Sequence, residues 1–90
     1  MKGHIIVFEH SDFRGQHRHI FGEESDLHHP ADSSMSGKVT SFVILEGTWQ
    51  FFRHANYHLP YTVTLGPGTY PWVSDQEIEN DQIASLRCIG

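Results

Sequence analysis

The sequence has little of three things that would place it in common classes of protein. It has a single cysteine, Cys88, so no disulfide can form within the chain, and this fits a reducing compartment. Six basic residues stand against eleven acidic ones, and the formal charge of -5 argues against a nucleic-acid partner. There is no signal-peptide pattern and no apolar run of about 18 residues. We therefore expect neither a nucleic-acid nor a membrane partner, and we favour a cytoplasmic location.

The composition is that of a small globular protein. Hydrophobic residues make up 38% of the 90 residues, with eight glycines and four prolines. This length is enough for one domain that folds unaided, so we expect a single domain over residues 1–90. Other domains of a larger protein, or further copies in a weak homo-oligomer, are open as partners.

Glycines, aromatic residues and serines recur 44 positions apart in the two halves. The identical pairs are Gly3 with Gly47, Phe8 with Phe52, His10 with His54, Gly22 with Gly66, and Ser41 with Ser85. We expect this spacing to hold without a gap. Two copies are too few for a solenoid, so they predict one domain closed by a pseudo-two-fold axis. The first copy spans residues 1–45 and the second residues 46–90.

Strand-like segments occur at equivalent places in both copies, and no helical period is sustained. The predicted strands are 4–8, 16–21 and 38–45 in the first copy, and 48–52, 61–65 and 82–89 in the second. A glycine- and proline-rich corner precedes Tyr70 and Trp72, which we expect to fill one end of the core. With four short strands per copy, we predict an all-β sandwich of about eight antiparallel strands in two Greek keys.

Each copy also carries an aromatic residue, four residues, a second aromatic residue, any residue, and then glycine or its substitute. The pattern occupies Phe8, Phe13 and Gly15 in the first copy and Phe52, Tyr57 and Leu59 in the second. This resembles the Greek-key signature of βγ-crystallins, especially the calcium-binding microbial and non-lens members. The resemblance implies that each second aromatic ring covers the first. Leu59, which replaces the glycine, is expected to strain or reshape the second hairpin.

The resemblance further implies two calcium sites with crossed ligands, built from a six-residue stretch before the last strand of each copy. Such a stretch has two Asn/Asp residues, two variable residues, Ser or Thr, and Ser. Residues 36–41 keep Thr40 but have Ser36 and Gly37 at the Asn/Asp positions. Residues 80–85 keep both acidic or amide positions but have Ala84 in place of the hydroxyl.

One site of the crossed pair therefore keeps its ligands and the other loses its carboxylate and its hydroxyl. The candidate ligands are the Lys38 carbonyl, the Thr40 hydroxyl, the side chain of Asn80 or Asp81, and a hairpin carbonyl from Glu9 or Arg53. We predict a calcium-binding structural module with one working and one degenerate site. The alternative is a calcium-independent structural, protein-interaction or carbohydrate-interaction domain, and an exposed Trp72 or Tyr70 would favour a sugar platform.

Eight histidines are the most unusual feature of the composition. His17 and His19 lie two apart on a predicted strand, so they share a face and are able to chelate zinc, copper or nickel. His28 and His29 form a second cluster. Because His19 aligns with Val63, we expect one of the first pair to be partly buried. We favour a titrating surface over a metal site here, since the sequence does not show that the imidazoles converge.

No enzyme is predicted from the sequence. Ser41 and Ser85 occupy the position at which βγ-crystallins use serine to hold the folded hairpin, and a nucleophile would not be expected twice by symmetry. No arrangement of nucleophile, base and orienting group is visible.

Overall fold

The computed structural model describes residues 3–25, 27, 39–73 and 83–90. Within them the chain forms eight strands: β1 (His4–His10), β2 (Arg14–Phe21), β3 (Glu23–Glu24), β4 (Ser41–Glu46), β5 (Trp49–His54), β6 (His58–Leu65), β7 (Gly68–Tyr70) and β8 (Ser85–Cys88). These strands build two four-stranded antiparallel sheets, ordered β2-β1-β4-β7 and β3-β8-β5-β6. The predicted all-β sandwich is confirmed. The same ranges contain no helix of the length and apolar character needed to cross a membrane.

Each half of the chain contributes one short strand to the sheet of the other half. β3, from the first half, pairs with β8, and β7, from the second half, pairs with β4. The sequence patterns located the other six strands, because those carry apolar residues at strand spacing. β3 and β7 carry no such pattern, and their pairing depends on the strands that they meet.

The core lies between the inner faces of the two sheets. Ile5 and Val7 alternate along β1 with partly exposed residues and are fully buried, as their spacing predicts. Trp49 and Phe51 do the same on β5. The rings of Phe42 and Phe51 meet across the sandwich with centroids 4.8 Å apart. Aromatic contact of this kind adds to the burial that joins the sheets.

The prediction of an ungapped 44-residue repeat is wrong in the middle of each half. Ile20 pairs with Ile5 and Leu65 pairs with Trp49, so these partners stand 45 positions apart. Glu24 and Tyr70, the partners of Leu86 and Phe42, stand 46 apart. A register shift between Gln50 and Phe52 takes up part of the excess. Residues of the two halves are equivalent when they pair with equivalent strand positions, not when they are a fixed number of positions apart. An irregularity in strand pairing changes the direction of the side chains that follow it.

Trp72 does not fill the core as predicted, because 49% of its surface is exposed. Tyr70 does pack inward, with its ring 5.1 Å from that of Phe42. The next backbone contact explains the difference. Val73 donates its N–H to the Thr40 carbonyl at 2.8 Å, and the Val73 side chain is fully buried. With Val73 directed into the core, the indole of its neighbour is left at the surface.

Candidate functional site

A buried serine holds the folded hairpin between β1 and β2. The Ser41 hydroxyl donates to the His10 carbonyl at 2.6 Å and accepts the Phe13 N–H at 3.1 Å. The Phe13 ring packs edge-on against Phe8, with centroids 5.6 Å apart. Ser41 is fully buried and both of its hydrogen-bonding roles are used, so its position is that of a structural bracket.

The hairpin between β5 and β6 has the same construction. The Ser85 hydroxyl donates to the His54 carbonyl at 2.6 Å and accepts the Tyr57 N–H at 3.1 Å. The Tyr57 ring covers Phe52 at 5.5 Å. Leu59 has a φ of 55° where the first hairpin has Gly15 at 81°. The second hairpin is therefore strained at Leu59. Its pairing also differs, because the first hairpin has a register shift between Phe8 and His10, whereas the second shifts only further along, between Gln50 and Phe52.

The structure separates the two hairpin carbonyls that were left open as calcium ligands. Thr40 donates its N–H to the Phe8 carbonyl at 3.0 Å, which places Thr40 next to Glu9 on the neighbouring strand. Ala84 donates to the Phe52 carbonyl at 3.0 Å, which places it next to Arg53. Glu9 thus accompanies Thr40, and Arg53 belongs to the equivalent position in the other half. The guanidinium of Arg53 lies over the Tyr61 ring at 4.8 Å.

The other predicted ligands, Lys38, Asn80 and Asp81, lie outside the described residues. At the Thr40 position, the described residues supply a hydroxyl and the carbonyl of Glu9, which are oxygen donors of the kind that calcium takes. At the Ala84 position the side chain has no oxygen.

The outer face of β1 and β2 carries a second candidate site, a cluster of three imidazoles. The Nε2 atom of His4 lies 2.9 Å from Nδ1 of His19 in a hydrogen bond. The ring of His17 stands 5.5 Å from that of His19. His17 and His19 are both exposed, so the expectation that one of them is partly buried is wrong. We refer to His4, His17 and His19 as the imidazole cluster.

Strand register explains why the aligned residue Val63 was a poor guide. His19 pairs with Ile6 on β1, and the residue that occupies the equivalent position opposite Gln50 is Thr64. His19 therefore belongs to the outward row of its strand. The sequence pattern also missed His4, since only the pairing of β1 with β2 brings it beside His19.

The imidazole cluster is not yet a formed coordination site. Among the residues that the structure describes, no three His, Cys, Asp or Glu side chains are placed so that together they could hold a metal ion. The imidazoles of His4 and His19 are in contact, and the ring of His17 lies next to that of His19. His28 and His29, the second cluster in the sequence, lie outside the described residues.

The phenol of Tyr57 has a raised pKa. Burial raises the pKa of its phenol, and the nearby carboxylates of Glu23 and Glu24 raise it further. Arg87 opposes this in part, with its guanidinium 5.1 Å from the Tyr57 ring centroid. The phenol therefore stays neutral to a higher pH than an ordinary tyrosine.

Comparison with known proteins agrees with this architecture. The Beta/Gamma crystallin family model matches residues 4–89. A bovine (Bos taurus) gamma-crystallin F is 33% identical over 83 residues, which are 92% of this chain and 45% of that protein. The chain thus spans about half the length of that curated relative.

Two solved structures from archaea are similar over nearly the whole chain. A βγ-crystallin from an archaeon has a TM-score of 0.86 and 30% identity, covering 99% of this chain and 100% of its own. A transition-metal-ion-binding βγ-crystallin from Methanosaeta thermophila has a TM-score of 0.84 and 34% identity, covering 94% and 99%. From the family match and these likenesses, the chain belongs to the βγ-crystallin family.

Proposed function

We propose that this domain is a structural βγ-crystallin module whose folded state is stabilised by a bound metal ion, and that calcium binds at one working site. The observation that carries the proposal is the placement of Thr40 beside Glu9. Thr40 directly precedes β4 and Glu9 lies on β1, and the bond from the Thr40 N–H to the Phe8 carbonyl holds these two segments together. Calcium takes about six to eight oxygens at flexible geometry, so such a pair is a usable part of its shell.

The remaining protein ligands of this site come from the residues implied by the family resemblance. They are the Lys38 carbonyl and the side chain of Asn80 or Asp81, with water completing the shell. The ion would then join the end of the first Greek key to the stretch that precedes β8. The equivalent site has Ala84 and Gly37, so it has neither hydroxyl nor carboxylate. We assign no catalytic role, since Ser41 and Ser85 are used to hold the hairpins.

A ligand that binds only the folded state raises the melting temperature. With at most one anionic ligand, Asp81, among neutral ones, we expect an affinity between micromolar and millimolar. Calorimetric titration of the metal-free chain with calcium measures the stoichiometry, and thermal unfolding with and without millimolar calcium measures the stabilisation. An unchanged melting temperature together with no heat of binding would overturn the calcium proposal.

A second class of cation is favoured by a separate observation, the imidazole cluster on the first sheet. The relative from Methanosaeta thermophila, 34% identical to this chain, binds transition-metal ions. That similarity supports a transition metal as the second candidate. The same calorimetric titration with Ni²⁺ separates the two, because calcium requires oxygen ligands and Ni²⁺ accepts imidazole.

The half-exposed Trp72 keeps a carbohydrate-interaction role as an alternative, since sugars stack on uncovered aromatic rings. Trp49 is fully buried, so a sugar that stacks on the surface should change the emission of Trp72. Fluorescence titration with a panel of oligosaccharides, with Trp72→Phe as control, tests this. A saturable change that disappears in Trp72→Phe would favour a carbohydrate module over a purely metal-binding one.

A further inference from the structure

The imidazole cluster places three histidine side chains together on one face of a sheet. We infer that His4, His17 and His19 form a transition-metal site for Ni²⁺, Cu²⁺ or Zn²⁺ on the outer face of β1 and β2. The inference deepens the second candidate of the proposed function by naming its residues. It is independent of the proposed calcium site, which uses Glu9 of β1 and Thr40, the residue before β4.

Strand pairing places all three side chains on one surface. Ile5 and Val7 are buried on β1, so His4, one position away, belongs to the outward row. Ile20 is buried on β2, so His19 lies outward beside it and His17 two residues before. Since His19 pairs with Ile6, the ring of His4 is its diagonal neighbour across the ladder.

The separation of two nitrogens is already close to that of a chelate. His4 Nε2 and His19 Nδ1 are 2.9 Å apart. Two imidazole nitrogens bound to one tetrahedral ion, each at about 2.0–2.1 Å, stand roughly 3.3 Å from each other. A small rotation of either ring therefore admits an ion between them. The ring that donates in the hydrogen bond loses that proton to solvent and takes one from solvent at its other nitrogen, so that both neutral imidazoles present a lone pair to the ion.

His17 supplies the third nitrogen after a rotation of its own exposed side chain. Its ring centroid lies 5.5 Å from that of His19 and 5.7 Å from that of Phe8. At the other end of the cluster Phe21 stacks on His4 at 4.3 Å. The two phenylalanines bracket the three imidazoles and restrict the directions in which their rings turn. Water completes the coordination shell.

The ligand set selects borderline metals over hard cations. Imidazole nitrogen suits zinc, copper and nickel, whereas calcium and magnesium require oxygen. The nearest charged groups by register are Glu46, the β4 partner of His4, and Arg18 on β2. Arg18 lies between the two histidines in sequence, faces away from them along its strand, and is ion-paired with Glu24.

The test is calorimetric titration of the tag-free, metal-free full chain with Ni²⁺ at about pH 7.5. We expect one Ni²⁺ per chain, with at least tenfold weaker binding in His19→Gln and in His4→Gln, and a smaller loss in His17→Gln. Paramagnetic broadening by substoichiometric Ni²⁺ should remove the ring signals of these three histidines first. Lowering the pH to about 5.5 should weaken binding, because protonated imidazole has no lone pair to donate.

The other histidines of the chain provide matched controls. His10→Gln changes an exposed histidine of the same strand outside the cluster and should leave Ni²⁺ binding unchanged. His54 and His58 pair directly across the second hairpin and are the competing chelate. Loss of binding in His54→Gln with His58→Gln, or in His28→Gln with His29→Gln, and not in His19→Gln, would overturn the assignment. His19→Gln should keep the rise in melting temperature that calcium produces. The nickel assignment and the calcium proposal are therefore tested separately.

Discussion

Leu59 adopts the left-handed backbone conformation that Gly15 adopts at the same place in the other hairpin. Their φ angles are 55° and 81°. Each stands two residues after the aromatic ring that covers the hairpin, and both hairpins keep the same serine bracket. The fold has therefore imposed on a γ-branched side chain a conformation that normally belongs to glycine.

The strain at Leu59 predicts that Leu59→Gly stabilises the protein. A left-handed conformation costs an ordinary residue about 1–2 kcal/mol, which glycine would not incur. Glycine loses more conformational entropy on folding, and this reduces the gain by about 0.5–1 kcal/mol. Leu59 is 56% exposed, so little burial is lost. We expect a gain of up to about 1 kcal/mol, measured by urea unfolding, or a few degrees in melting temperature.

The matched control is Gly15→Ala, which should destabilise. An added Cβ at Gly15 would stand 2.6 Å from Cδ2 of His10, and the backbone is left-handed there as well. Loss of stability in both variants would show that the exposed Leu59 side chain contributes contacts that outweigh its backbone strain.

The two serines that hold the hairpins, Ser41 and Ser85, are expected to cause equal losses of stability when they are substituted. Ser41→Ala and Ser85→Ala each leave a carbonyl and an N–H of a hairpin without their partner, at a cost of about 2 kcal/mol. The hydrogen-bond distances are the same in both halves, so chemical unfolding should give similar values for the two variants. Ser25→Ala, at an exposed position, is the control and should change stability little. A large difference between the brackets would contradict the pseudo-two-fold account.

The crossed-ligand arrangement predicts one calcium ion per chain. Calorimetry should show this binding lost in Thr40→Ala and in Asp81→Ala, because each removes an oxygen donor that we propose for the site. Ser36→Ala is the control and should bind as the parent does. Two equal sites, or full binding in Thr40→Ala, would refute the arrangement.

The second calcium site should return only when both of its missing donors are restored. Gly37→Asp supplies a carboxylate and Ala84→Ser supplies a hydroxyl, and neither alone makes a competent oxygen shell. We expect two ions per chain in the double variant and one in each single variant. A second ion bound by either single variant would show that the remaining carbonyls contribute more than assumed.

The raised pKa of Tyr57 predicts a loss of stability in alkali. Because the folded state holds the phenolic proton more tightly than the unfolded chain, the stabilisation is complete below the ordinary value of 10.0 and is lost as pH rises above it. Tyr57→Phe keeps the ring over Phe52 and removes the titration. Urea unfolding at about pH 9 and pH 11 should show that the free energy of unfolding falls less between these pH values in Tyr57→Phe than in the parent protein. Parallel falls would exclude Tyr57 as a source.

Local sequence patterns were enough to predict the features that depend on residues close together in the chain. The aromatic pairs Phe8–Phe13 and Phe52–Tyr57 are five positions apart in each copy, and the serines that hold the hairpins recur 44 positions apart, so both were recognisable before the fold was known. Alternation on β1 and β5 likewise identified the core side chains, because a strand sends successive residues to opposite faces.

Features that depend on strand register could not be predicted in this way, because register is set by contacts between distant parts of the chain. Strand exchange through β3 and β7, the extra residues that break the 44-residue spacing, and the exposure of Trp72 follow from which backbone groups pair across the sheets. His4 and His19 stand 15 positions apart in sequence and meet only because β1 pairs with β2 in one register. A shift of one residue would turn His19 inward, and no local pattern records that choice.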